Sequence, residues 1–171
     1  MVEQRLRLSG VGEGLTTRVT TKLRGADSPT SVGLAIQRIF PEIVVDQGAI
    51  EPEFGTGIHT DWVFEGVSLK NFLQLIHEQR ILDTALDAMA ANLVGNLTHF
   101  EISRLAAYAG KISFPIPGET PLGGAISIAL EGEGLGDWLQ AATWHPGRSQ
   151  VPRSIDDELS MEADGEASTW L

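Results

Sequence analysis

TTRVTTKLRGADSPTSVGLAIQRIF, residues 16–40, decides the fold, because its hydrophobic period changes from two to nearly four within a few residues. Over 16–24 the even positions Arg18, Thr20, Lys22 and Arg24 alternate with Thr17, Val19, Thr21 and Leu23, the pattern of a β-strand with one polar face. After Gly25 the pattern shifts. Asp27 or Ser28 is placed to cap a helix, Pro29 suits its first turn, Val32, Ile36 and Ile39 share a face, and Pro41 closes it. A half-polar strand followed at once by an amphipathic helix opens a two-layer domain, in which helices cover the apolar side of a sheet.

The remaining sequence extends this scheme. IHTDWVF (58–64) alternates with Ile58, Trp62 and Phe64 on one side and reads as a strand. SLKNFLQLIHEQRILDTALDAMAANL, starting at a capping Ser68, repeats apolar residues at three- and four-residue spacing and predicts one long helix ending near Gly95-Asn96. THFEISR, KISFPI and GGAISIAL supply three more strands. In RLAAYAGKISF (104–114), Ala106, Ala107 and Gly110 read as a tight connection between two of them. The expected class is α+β: a two-layer, mostly antiparallel sheet covered on one face by two amphipathic helices. DQGAIEPEFGTG (46–57) reads as a loop. Residues 1–145 form a single α+β domain in this scheme, and 146–171, rich in acids and without an apolar period, form an acidic flexible tail.

Composition narrows the function classes. The 171 residues suit one core, and 42% apolar with 20% charged residues is the balance of a soluble globular protein. No stretch approaches the roughly 20 apolar residues of a membrane span, and MVEQRLRLSG, without a continuous apolar run or a small-residue cleavage site, leads us to expect no secretory signal. Zero cysteines exclude disulfides and thiolate metal sites and suit a cytoplasmic location. The net charge of −11 opposes non-specific nucleic-acid binding, yet residues 1–40 carry six Lys/Arg against three Asp/Glu. Arginine outnumbers lysine nine to three, and an acidic, lysine-poor surface is what a salt-rich cell interior favours for solubility.

Few residues assemble into chemistry. His59, His77, His99 and His145 lack any metal-binding spacing, so no metal site or cofactor is expected. GVGEG (10–14) lacks the G-K-[ST] of a phosphate loop and reads as a turn. Asp83 and Asp87, one helical turn apart, form either a carboxylate pair or a solvated face, and Arg80 beside them covers core, pairs or reaches a ligand. No catalytic set follows. The cations Arg18, Lys22 and Arg24 on one strand face, with Arg104 and Lys111 bracketing Tyr108, are the candidate phosphate contacts of a sheet-type RNA binder. Arg5 and Arg7 are spaced like further strand neighbours.

Taken in order, Gln79 to Asp83 (QRILD), Gly95 to Thr98 (GNLT), Ala107 to Phe114 (AYAGKISF) and Pro121 to Ile126 (PLGGAI) resemble the second half of an archaeal family, uncharacterised protein family 0201. The strand and the DSPTSVGLAIQRIFPEI helix are similar to its first half, so the resemblance spans roughly residues 15–145. It implies an α+β fold akin to the ribosomal protein that binds five-S RNA, a cytoplasmic archaeal origin and a role in RNA binding. Where the family carries N-K-Q, this chain has Ser103-Arg104-Leu105, keeping one cation only. Two functions follow as expectations. One is a non-enzymatic protein contacting structured RNA through Arg18, Lys22, Arg24, Arg104 and Lys111; the other is a non-catalytic interaction module forming a homodimer without nucleic acid.

Overall fold

The computed structural model of the chain describes residues 8–45, 60–152 and 155. Strand β1 (Thr16–Leu23) buries Thr17, Val19, Thr21 and Leu23 and turns Thr16, Arg18 and Lys22 outward, as its period requires. It pairs with β2 (Thr60–Glu65) on one side and β4 (Ala125–Glu131) on the other, and β4 pairs with β3 (Leu97–Ser103). The sheet order is β2-β1-β4-β3, and every neighbouring pair is antiparallel. Phe100 and Ile102 of β3 and Ile126, Ile128 and Leu130 of β4 extend the buried face that Val19 and Leu23 begin.

Helix α1 (Pro29–Ile39) starts where the capping chemistry places it. Ser28 Oγ accepts the Ser31 N–H at 3.3 Å, Pro29 occupies the first turn, and Val32, Ala35, Ile36 and Ile39 are buried. Asp27 takes a different role, accepting the Arg24 N–H at 2.8 Å across the turn from β1.

The expected long helix is two helices, α2 (Lys70–Glu78) and α3 (Leu82–Ala90). They part at Arg80, whose φ of 59° is left-handed. The Arg80 N–H bonds to the His77 carbonyl and the Ile81 N–H to the Ile76 carbonyl, which makes a Schellman ending with arginine where glycine is usual. The break is held by Gln79. Its amide accepts the Ile112 N–H at 2.7 Å and donates to the Ile112 carbonyl at 2.9 Å. A helical period cannot reveal a stop imposed by a partner 33 residues away.

The connection read in RLAAYAGKISF is a short helix, α4 (Arg104–Tyr108), capped by Ser103 Oγ and ended by Gly110 at φ 75°. KISFPI does not join the sheet. Ile112 spends its backbone groups on Gln79, Pro115 lacks an N–H, and only the Ser113 carbonyl meets β3, accepting from Ser103 at 2.8 Å. Ile112 is nonetheless buried and Phe114 packs against Phe100, so the apolar alternation is satisfied by packing without pairing. Helix α5 (Leu135–Ala142) buries Leu135, Trp138 and Leu139 in the same core, and a 3₁₀ turn (Pro146–Ser149) follows it. In place of two covering helices there are five α-helices among the described residues. The expected loop at 46–57, most of the expected tail, 156–171, and Arg5, Arg7, Ile58 and His59 lie outside the described residues.

Two substitutions test the α2–α3 break by urea denaturation. Gln79→Ala strands two partly buried backbone groups of Ile112 and is expected to lower stability by about 1–3 kcal/mol. Arg80→Gly relieves the left-handed strain and is expected to raise it by about 1 kcal/mol.

Candidate binding surface

The polar face of the sheet is where cations were expected to gather. Strand register lays out its rows: Glu65, Arg18, Ala129 and His99 in one, Val63, Thr20, Ser127 and Glu101 in the next, with Asp61 opposite Lys22 and Glu131 opposite Leu97. Among the described residues in these rows, Lys and Arg come from β1 alone, whereas acids stand on β2, β3 and β4. Asp61, Glu65, Glu101 and Glu131 outnumber Arg18 and Lys22, so the face is acidic on balance. Arg18 is also engaged, its Nε 2.8 Å from Glu65 Oε1 in an exposed ion pair.

The five predicted phosphate contacts divide among three places. Arg18 and Lys22 lie on the open face, and Arg24 stands exposed just past the end of β1. Arg104 is only 6% exposed and is not available to an outside phosphate. Its Nη1 donates to Thr21 Oγ1 at 3.0 Å and to the Lys22 carbonyl at 2.8 Å, its Nε donates to the Gly123 carbonyl at 2.8 Å, and its Nη2 pairs with Asp27 at 3.0 Å. Lys111 is exposed, but it precedes Ile112 at the α2–α3 break, away from the sheet rows.

The Arg104–Asp27 pair separates two hollows. On one side a groove of roughly 380 Å³ runs between α1 and α4, lined by Ser31, Val32, Ala35, Leu105 and Tyr108. Its rim is apolar and exposed: Leu105 is 54% and Tyr108 41% accessible, and the Arg38 guanidinium lies 4.6 Å above the Tyr108 ring. On the other side a cleft of roughly 690 Å³ opens onto the polar sheet face, between β1, β4 and the 120–124 loop.

Two acidic clusters that spacing alone did not reveal lie apart from these hollows. Asp83 Oδ1 accepts from Arg148 Nη2 at 2.8 Å and lies 3.0 Å from His145 Nε2. Burial acts to raise the Asp83 pKa, but its bonds and attraction to Arg148 and His145 prevail and hold it below the ordinary 3.8. In the GVGEG turn, Gly10, Gly12 and Gly14 all take positive φ and wrap the chain around Glu13. That carboxylate accepts the N–H groups of Ser9 and Gly10 at 2.9 and 2.7 Å and Trp138 Nε1 at 3.0 Å. Burial works against the charge here too, yet these donors lower the Glu13 pKa below 4.5. Among the described residues no group of three metal-ligating side chains occurs, and no helix is long and apolar enough to cross a membrane.

The architecture defines a small α+β protein built on a four-stranded antiparallel sheet of order β2-β1-β4-β3. It is similar to the crystal structure of the UPF0201 protein from Methanococcus jannaschii, with a TM-score of 0.59 and 21% identity over 77% of this chain and 96% of that one. No family model matches the chain. A UPF0201 protein of Methanothermobacter thermautotrophicus is 30% identical over 127 residues, 71% of this chain and 88% of that protein. One from Sulfurisphaera tokodaii is 40% identical over 81 residues, which is 45% of this chain and 55% of the relative. The chain belongs to the UPF0201 family.

Asp83 and Glu13 set an acid limb. Because both folded pKa values are depressed, their stabilisation is present above the ordinary carboxylate range and is lost as pH falls through the folded values. The thermal midpoint is expected to hold toward neutral pH and to drop in acid, with Asp83→Asn and Glu13→Gln each flattening the drop. Gly124→Ala is expected to destabilise by about 2 kcal/mol or more in the same melts, since its Cβ would stand 2.8 Å from Arg104 Nη2 at a φ of 85°.

Proposed function

We propose that this UPF0201 protein is a non-catalytic interaction module that forms a homodimer through the groove between α1 and α4. The observation that carries the reading is the pair of exposed apolar side chains, Leu105 and Tyr108, on the rim of that groove with Arg38 stacked on Tyr108. Tyrosine and arginine are the residue types that dominate interface energetics, and apolar surface left open beside a groove gains most from being covered. A two-fold contact would set each copy's Leu105 and Tyr108 against the other's α1.

RNA binding through the sheet, the role implied by the family resemblance, finds less support in the surface. An RNA strand laid along this face would carry a run of phosphates past Asp61, Glu65, Glu101 and Glu131, while Arg18 is already paired with Glu65 and Arg104 is committed inside the fold.

Sedimentation velocity on the full chain separates the two readings. A dimer is expected, and Leu105→Asp with Tyr108→Asp is expected to weaken it about 30-fold or more, the scale of a lost hot spot. A wild-type monomer at every loading concentration overturns the proposal. So does salt-sensitive binding of structured RNA that disappears when Arg18, Lys22 and Arg24 become Ala.

A further inference from the structure

The cleft beyond the Arg104–Asp27 pair is distinct from the groove and does not depend on assembly. At roughly 690 Å³ it falls within the span of about 300–1,000 Å³ common to small-molecule sites. Its floor is short and hydroxylated, made by Thr20 of β1 and Ser127 and Ala125 of β4. Lys22 and Arg24 stand at one end with Asp61 in register beside Lys22, and Glu101 stands across the floor on β3.

What singles the cleft out is the state of these charges. The buried charge at its wall is internally satisfied, Arg104 by Asp27 and three oxygen acceptors. The exposed charges around it are not, for among the described residues Lys22, Arg24, Asp61 and Glu101 enter no ion pair. Two cations and an acid therefore face each other across a hydroxylated floor. β1 and β3 are separated by β4, about 10 Å across, and Lys22 lies two residues, about 7 Å, along β1 from the Thr20 row.

We propose that this cleft binds a short zwitterion of the peptide class, its carboxylate held by Lys22 and Arg24 and its ammonium by Glu101. The separation of the two ends matches a ligand two or three residues long, at about 3.4 Å per extended residue. Asp61 beside Lys22 selects against a dianion, which would meet its charge, and so favours a carboxylate over a phosphate. Thr20 and Ser127 supply hydroxyls for the amides between the ends.

Titration calorimetry on the full chain tests this with triglycine, N-acetyltriglycine, triglycine amide and inorganic phosphate. Saturable binding of triglycine is expected, with each capped form weaker by about tenfold or more, the cost of one charge-assisted hydrogen bond. Lys22→Ala with Arg24→Ala, and separately Glu101→Gln, are expected to weaken triglycine by a similar factor. Arg18→Ala, on the same face but bound to Glu65, leaves it unchanged. The proposal is overturned by absence of saturable triglycine binding, by equal binding of the capped forms, or by phosphate binding where triglycine does not. The Leu105→Asp, Tyr108→Asp variant is expected to keep triglycine binding, so a failure of the dimer and a failure of this site read out separately.

Discussion

The guanidinium of Arg104 holds four segments of the chain together. It reaches the end of β1 through Thr21 and the Lys22 carbonyl, the following turn through Asp27, and the 120–124 loop through the Gly123 carbonyl, while its own backbone starts α4. A buried ion pair is only marginally favourable against an apolar replacement, because desolvation offsets most of the attraction. Its value here is geometric. Four bonds in a planar fork leave the turn, the loop and the helix one arrangement, and Gly124 has no Cβ because the fork passes where one would sit. Both hollows on the surface take their shape from this pair, since Arg104 and Asp27 line each of them.

The same device recurs wherever regular pairing stops. Gln79 supplies Ile112 with the donor and acceptor that a neighbouring strand would have supplied. Thr98 Oγ1 donates to the Met89 carbonyl at 2.6 Å, closing the end of α3 onto β3, and Thr17 Oγ1 does the same for Val67. Asn71 donates to the carbonyls of Arg38 and Ile39 at the end of α1. Buried backbone groups left without partners cost about 1–3 kcal/mol each, so these side chains permit irregular connections inside a small core. Gln79, Thr98 and Gly123 with Gly124 fall within the segments that carry the family resemblance, Gln79 to Asp83, Gly95 to Thr98, Ala107 to Phe114 and Pro121 to Ile126. Gln79, Thr98, Gly123 and Gly124 work inside the fold, as partner to Ile112, to Met89 and, for the last two, to the Arg104 guanidinium.

Local order was legible in the sequence, and long-range order was not. The period of two placed β1, β3 and β4, and Ser28 with Pro29 placed the start of α1, because each depends on neighbours in the chain. KISFPI carried an equally clear alternation but could not become a strand once Gln79 held Ile112. The long helix failed for the same reason seen from the other side. Among the site residues, Arg18 and Lys22 were placed on the correct face, yet their acidic partners come from strands whose register no local pattern specifies. Arg104 looked like a surface cation because all its side-chain partners lie far off in sequence, Thr21 83 residues away and Gly123 the nearest at 19.

Four of the described arginines hold positions that lysine would fill less well. Lysine is a point charge on a flexible stem, whereas arginine offers five donors in a plane and can satisfy several carbonyls at once. Arg104 and Arg148 each make four such contacts while almost fully buried, and each spends its charge on a single aspartate. Arg38 uses the flat face of the same group against Tyr108, and Arg18 bridges two strands. Lysine could replace none of the first three without losing bonds or stacking. Among the described residues Arg18, Arg38, Arg104 and Arg148 are thus architectural, and the cations left for an outside partner are those, such as Lys22 and Arg24, that the fold itself does not occupy.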